Sequence, residues 1–148
     1  MITLTSGDIL KSDCEVITIP VNTVCVMGAG LAKQAKLAYL GLEPMYKELC
    51  YKKTLQVGNP VIVRKEWNHA ICLFPTKKDW RDPSQLIWIE DGLSRLVKLI
   101  VEERVGSIAI PALGAGLSGL AYKAVLPLLL QLAKKLGDYY CRIRLYQP

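Results

Sequence analysis

Residues 17–32 read ITIPVNTVCVMGAGLA. The stretch opens in an apolar, β-branched run from Val16 to Val21, which reads as a strand buried on both faces. It passes Asn22 and Thr23 and ends in Met27-Gly28-Ala29-Gly30, directly before the helix-forming Leu31-Ala32-Lys33-Gln34-Ala35-Lys36. A buried strand feeding a glycine loop and then a helix N-terminus makes an anion cradle. The glycines let the backbone approach a ligand, while unpaired N–H groups and the helix dipole favour phosphate. One such loop could equally be a tight strand-to-helix turn. A second of the same construction stands near the other end of the chain: the strand Ser107–Ala112 (SIAIPA), then Gly114-Ala115-Gly116-Leu117-Ser118-Gly119, then a helical segment.

Working outward, Met1–Thr5 alternates as an edge strand, and Gly7-Asp8-Ile9-Leu10 forms a turn. Asp8 has two readings there, a cap of that turn or a carboxylate accepting from an exocyclic amine. A helix is expected over Leu31–Tyr39, stopped near Gly41, and Pro44 suits the first turn of another that ends around Lys52. Strands follow at Val61–Arg64 and His69–Phe74, then a polar loop from Pro75 to Ser84. Ser84 is placed to cap an amphipathic helix carrying Leu86, Ile89, Leu93, Leu96, Val97 and Ile100 and reaching Glu103. Tyr122–Leu136 is helical, with Pro127 delaying the regular helix to Leu126 or kinking it, and Cys141–Tyr146 is the last strand. The order β-β-α-α-β-β-α-β-α-β implies a three-layer α/β/α sandwich around a mixed, mostly parallel sheet.

At 148 residues and 51% hydrophobic content, the chain matches one domain with one core. No apolar run is long enough to span a membrane and no signal peptide is evident, so a cytoplasmic protein is expected. Five scattered cysteines without Cys-x-x-Cys spacing, and the single His69, imply neither a disulfide framework nor a metal site. Nineteen Lys and Arg against thirteen Asp and Glu give a net charge of +6 and a pI near 9.1, which suits a polyanionic partner. The notable basic cluster is Lys77, Lys78 and Arg81 with Trp80 among them, a mixture able to touch a phosphate backbone and stack on a base.

GAGLSG is a literal G-x-G-x-x-G between strand and helix, yet it does not predict a dinucleotide dehydrogenase. That fingerprint needs an acidic residue roughly 20 residues on for the ribose hydroxyls. Here the next strand ends Leu145-Tyr146-Gln147-Pro148, and no second nucleotide-binding half follows. Neither loop carries the Gly-Lys-Ser/Thr ending of a P-loop. What remains is a paired cradle, suited to a diphosphate bridging two sugars.

The set GDI (7–9), IPVNTVCVMGAGLA (19–32) and IAIPALGAGLSGL (108–120) resembles the macrodomain, the ADP-ribose-binding fold, nearly end to end. Together with FPTKKDWRDPS (74–84), it looks most like the branch holding the bacterial DNA ADP-ribosyl glycohydrolase antitoxins, related to the terminal ADP-ribose protein glycohydrolase. The resemblance implies a single macrodomain over 1–148 that binds ADP-ribose. Asp8 would hold the adenine amine with Ile9 beside it. Val26, Met27, Gly28, Ala29 and Gly30 would wrap the distal ribose, with Asn22 and Thr76 near its hydroxyls. Pro111 and Leu113 lead into the diphosphate cradle of Gly114, Ala115, Gly116, Leu117 and Ser118. Lys77 falls on the branch's catalytic lysine, expected to attack or stabilise the anomeric carbon C1″, with Asn22 assisting. Lys78, Trp80 and Arg81 would meet a nucleic acid.

One departure is visible. The protein-directed lysine enzymes carry an acidic partner in the second glycine loop where this chain has Ser118; Asp79 and Glu90 are carboxylates nearby in sequence to Lys77. The resemblance therefore implies a monomeric, cofactor-free glycohydrolase acting on an ADP-ribosylated base, thymidine in single-stranded DNA. An ADP-ribose-1″-phosphate phosphatase and a non-catalytic ADP-ribose reader are its rivals.

Overall fold

The structure, a computed structural model, describes residues 1–148 apart from the Leu117 side chain. Its strands are β1 (Ile2–Thr5), β2 (Val16–Asn22), β3 (Val61–Val63), β4 (Ala70–Lys77), β5 (Ser107–Ile110) and β6 (Arg142–Tyr146). They form one sheet in the order β1-β6-β5-β2-β4-β3, parallel except for β3, which pairs antiparallel with β4. The helices are α1 (Gly30–Ala38), α2 (Leu42–Tyr51), α3 (Leu86–Glu102), α4 (Tyr122–Leu130) and α5 (Leu132–Lys135). This is the expected three-layer arrangement.

The period-2 alternation of the central strands sorts their side chains into two cores. Ile17, Ile19 and Val21 of β2, with Ile71 and Leu73 of β4, pack toward α1 and α2, where Leu42, Tyr46 and Cys50 face inward at helical spacing. Val16, Cys72, Phe74, Ile108 and Ile110 pack on the opposite face against Ile89, Leu93 and Leu96 of α3 and Val125 and Leu129 of α4. Gly92 lets α3 lie directly on β4, because a Cβ there would strike the Phe74 ring.

Beyond one-residue differences at several element ends, the structure departs from the sequence reading in four places. β4 continues past Phe74 to Lys77, since β2 keeps pairing with it through a register shift after Val21 that brings Asn22 opposite Lys77. β5 ends at Ile110, before Ala112. Pro127 sits inside α4 without delaying its start, and the helix breaks instead at Gln131. Ser84 does not cap α3; Gln85 occupies that position without a side-chain bond, and the Ser84 hydroxyl is used elsewhere.

Candidate functional site

The loops leaving the carboxyl ends of β2, β4 and β5 enclose a cleft of about 640 Å³. β2 leads to α1 on one face of the sheet while its neighbours β4 and β5 lead to α3 and α4 on the other, and such a divergence opens a crevice at the strand ends.

The β2–α1 loop is held by side chains. Asn22 Oδ1 accepts from the N–H groups of Val24 at 3.1 Å and Val26 at 3.3 Å, and its Nδ2 donates to the Val26 carbonyl at 2.8 Å. The Tyr46 hydroxyl stands 2.8 Å from both the Asn22 carbonyl and Oδ1. Tyr46 is fully buried, and burial pushes its phenol far upward, so it remains an O–H donor. These bonds over-determine a turn in which Cys25 adopts φ +69°, a left-handed conformation rare outside glycine. α1 then starts from Ala29, which offers no side-chain acceptor, so the first N–H groups of the helix are left for the cleft that Gly30, Leu31 and Ala32 line.

The β5–α4 loop is held by its own backbone. The Leu120 N–H returns to the Gly114 carbonyl at 2.9 Å, and that of Gly119 to the Gly116 carbonyl at 3.0 Å. Glycine is needed twice here for different reasons. At Gly114 (φ +77°) a Cβ would meet Leu120 at 2.8 Å and Ile89 at 3.1 Å, whereas at Gly116 the space is open but φ is +68°.

The β4–α3 loop closes the site. Lys77 lines the cleft, and its Nζ donates to the Trp80 carbonyl at 3.1 Å. The Asp79 carboxylate accepts from Arg81 Nε at 2.9 Å, from its terminal guanidinium nitrogen at 2.7 Å and from its backbone N–H at 2.9 Å. The Arg81 bonds hold the Asp79 carboxyl down at about 2. Arg81 also lies over the Trp80 ring at 5.6 Å, and Lys78 over Trp88 at 5.7 Å. The cluster that reads as a basic patch is thus partly matched within its own loop. Buried Ser84 donates its hydroxyl to the Thr76 carbonyl and its N–H to the Ser118 carbonyl at 2.7 Å, joining this loop to the second glycine loop. Thr23 joins it to the first, donating to the Lys78 carbonyl through its N–H at 3.0 Å and its hydroxyl at 3.1 Å.

Most sequence-predicted residues meet in this cleft. Asn22, Val26, Gly28, Ala29 and Gly30 form one wall, Thr76, Lys77 and Trp80 a second, and Pro111, Ala115 and Ser118 a third. Others lie elsewhere. Asp8 is exposed and accepts from the Leu10 N–H at 3.0 Å, capping the short Ile9–Lys11 turn, while Ile9 is in the core. Burial, and secondarily the charge of Asp8, raises the Tyr39 phenol. Met27 and Leu113 correct the reading of every loop residue as a cleft contact: both side chains are buried in the two cores and support the walls from behind. Gly114 is buried and Gly116 exposed, neither on the wall itself. The Leu117 side chain lies outside the described residues. Lys78 and Arg81 sit outside the cleft, Lys78 against Trp88 and Arg81 against Trp80. Sequence reading missed Pro20, Val21, Leu31, Ala32 and Ala112 as lining. For Leu31 and Ala32 the signal was present, since the first turn of a helix carries the free N–H groups.

Among the described lining residues Lys77 alone is titratable; the rest offer apolar surface, hydroxyls, one amide and backbone N–H groups. Such a cleft suits an elongated anion with sugar hydroxyls, and its single cation stands at one end.

The Macro domain family matches residues 19–129. The DNA ADP-ribosyl glycohydrolase of Mycobacterium bovis is 38% identical over 141 residues, 93% of this chain and 40% of that protein. That of Thermus aquaticus is 39% identical over 128 residues, 84% of this chain and 36% of that protein, so the chain spans about two fifths of the curated relatives it matches. The macrodomain of Mycobacterium tuberculosis DarG superposes with a TM-score of 0.94 at 36% identity, covering 100% of this chain and 98% of that one. Thermosipho africanus DarTG in complex with ADP-ribose superposes at 0.93 with 34% identity, covering 99% of this chain and 41% of that one. The chain belongs to the macrodomain family, and within that family it resembles the macrodomains of DarG-type DNA ADP-ribosyl glycohydrolases.

Proposed function

We propose that residues 1–148 act as one ADP-ribose-binding module that hydrolyses the glycosidic bond between ADP-ribose and a nucleic-acid base, thymidine in single-stranded DNA, using Lys77. The names of the relatives and the ADP-ribose complex of a 34%-identical neighbour support the substrate class. The observation that carries the mechanism is that Lys77 is the one titratable side chain among the described residues of the cleft, paired with Asn22 on the adjacent strand. With no carboxylate there to act as nucleophile or base, a lysine route is the chemistry available. The C1″–O4″ bond of the distal ribose opens as the base nitrogen feeds its lone pair to C1″ and O4″ takes up a proton. The neutral Lys77 amine adds to C1″ and loses a proton, and its lone pair then expels the base nitrogen, which leaves with the C1″–N electron pair and takes up a proton. Water then hydrolyses the lysine imine to release ADP-ribose and restore the amine. The diphosphate lies between the α1 N-terminus and the Gly114–Ser118 loop, and Asp8 accepts from the adenine amine. Trp80, more than half exposed, stacks on a base of the strand while Lys78 meets its backbone.

The test is release of ADP-ribose from a thymidine-ADP-ribosylated single-stranded oligonucleotide. Wild type should release it and Lys77→Ala should lose about 100-fold or more in kcat, the range expected when a positioned proton-transfer or covalent group is removed. Equal release by both proteins would refute the lysine mechanism and keep the substrate. The reader is the second reading, favoured by the same lack of a carboxylate, and it requires ADP-ribose binding by both proteins with release by neither.

A further inference from the structure

Asn22 is an amide whose two ends could in principle be exchanged, and which end faces the ligand decides what it recognises. Its surroundings admit one orientation. Oδ1 faces three donors, the N–H groups of Val24 and Val26 and the hydroxyl of Tyr46, while Nδ2 lies 2.8 Å from the Val26 carbonyl. Exchanging them would set an NH₂ group against two N–H donors and an oxygen against a carbonyl. Tyr46 reaches this point from α2, across the core, with its ring fully buried. Its one hydroxyl proton is shared between the main-chain carbonyl and the Oδ1 of the same residue, so it clamps the backbone and the side chain of Asn22 together.

We propose that Tyr46 is a positioning residue for the cleft: through this clamp it commits Asn22 to present an N–H donor, never an acceptor, to the ligand. Nδ2 carries two hydrogens, and one is used on the Val26 carbonyl. The other is directed to an oxygen acceptor in the cleft, which fits a hydroxyl oxygen of the distal ribose and rejects a ring N–H or exocyclic amine at that place. Tyr46 thus acts on the distal end of the site through the Asn22 side chain, without touching the ligand. This inference rests on the reading that the cleft takes ADP-ribose.

Tyr46→Phe keeps the ring and removes only the hydroxyl. It should weaken ADP-ribose binding by about tenfold, the size of one charge-free hydrogen bond that leaves a buried acceptor short. A structural effect would persist without Asn22, but a positioning effect would not. In an Asn22→Ala background, Tyr46→Phe should therefore change the affinity less than about twofold. An equal loss in both backgrounds, or no loss in the wild-type background, overturns the assignment. If Tyr46→Phe does not fold, the side-chain amide of Asn22 in the wild type decides the matter by nuclear magnetic resonance. Its two Nδ2 protons should be distinct and slow to exchange with water, and saturating ADP-ribose should shift the one not bonded to Val26. Protons that stay unshifted while ADP-ribose binds would overturn the proposal alone. A wild type that fails to bind ADP-ribose would overturn the reading beneath it as well.

Discussion

The two glycine loops that wall the cleft look alike in sequence and are built by opposite means. In the β2–α1 loop much of the conformation is imposed by side chains: Asn22 bridges to Val24 and Val26, Tyr46 clamps Asn22, and left-handed angles fall on Cys25, a non-glycine, as well as on Gly30 where α1 begins. Its Gly28 has ordinary backbone angles, and a Cβ there would meet only Val26 Cγ1 at 3.4 Å. In the β5–α4 loop three glycines supply positive φ and the chain closes on itself through its own N–H groups. The first loop needs a left-handed glycine at one position, Gly30, and the second at three. The first can be retuned through the side chain of a distant tyrosine, whereas the second meets its neighbouring loop through a main-chain bond, from the Ser84 N–H to the Ser118 carbonyl.

The largest effect that would break this comparison falls on Gly116. Valine there is a β-branched residue at φ +68°, and its Cβ projects into open space beside the cleft. The strain alone is about 1–2 kcal/mol, and relief of it moves the loop whose N–H groups are proposed to hold the diphosphate. ADP-ribose affinity measured by calorimetry should fall at least ~100-fold, about 2.7 kcal/mol. Gly28→Ala is the counterpart in the first loop and should leave stability within about 0.5 kcal/mol of wild type. If both variants bind like wild type, the paired cradle does not hold the ligand.

Gly114→Ala should lower stability more than it alters chemistry. Positive φ costs about 1–3 kcal/mol for a non-glycine residue, and the new methyl would press on Leu120 and Ile89 at about the cost of an overpacked core, ~1–3 kcal/mol. A loss near 3 kcal/mol in urea unfolding is expected, against a stability that for domains of this kind is about 5–15 kcal/mol. A loss below about 1 kcal/mol would mean that this loop relaxes as readily as the first.

The same contrast explains what could be read from the chain. Backbone-built features are local, so the succession of strands and helices along the chain, both loops and the three-layer architecture follow from apolar periodicity and glycine spacing. Asn22 stood out only through the family resemblance, and its partner Tyr46 lies 24 residues away on a helix whose inward face reads only as core. Ser84 carried a capping signal, and its hydroxyl went instead to the Thr76 carbonyl once the loop folded back on β4. Met27 and Leu113 sit in motifs that surround a ligand, yet strand and loop geometry turn their side chains into the cores. Arg81 reads as a free cation because a sequence shows charge without showing that Asp79 takes both arms of its guanidinium.

The smallest effect concerns that ion pair, which lies in the loop of the second wall, beside the Trp80 carbonyl that accepts from Lys77. The Arg81 bonds lower the Asp79 carboxyl from an ordinary value of 3.8 to about 2 in the folded protein. A carboxyl lowered on folding stabilises the native state above its unfolded value, and that contribution is lost as pH falls through the folded one. The difference in urea midpoint between wild type and Asp79→Asn should therefore be constant from neutral pH down to about pH 4, shrink below it and vanish near pH 2. Both groups are exposed, so the difference should be small and should diminish in high salt. Across the neutral range Asp79 stays ionised, and the Lys77–Trp80 contact should show no pH dependence from this source. A difference that changed between pH 5 and 8 would mean that the carboxylate answers to something other than Arg81, and the second wall would then be held, like the first, by a partner from outside its own loop.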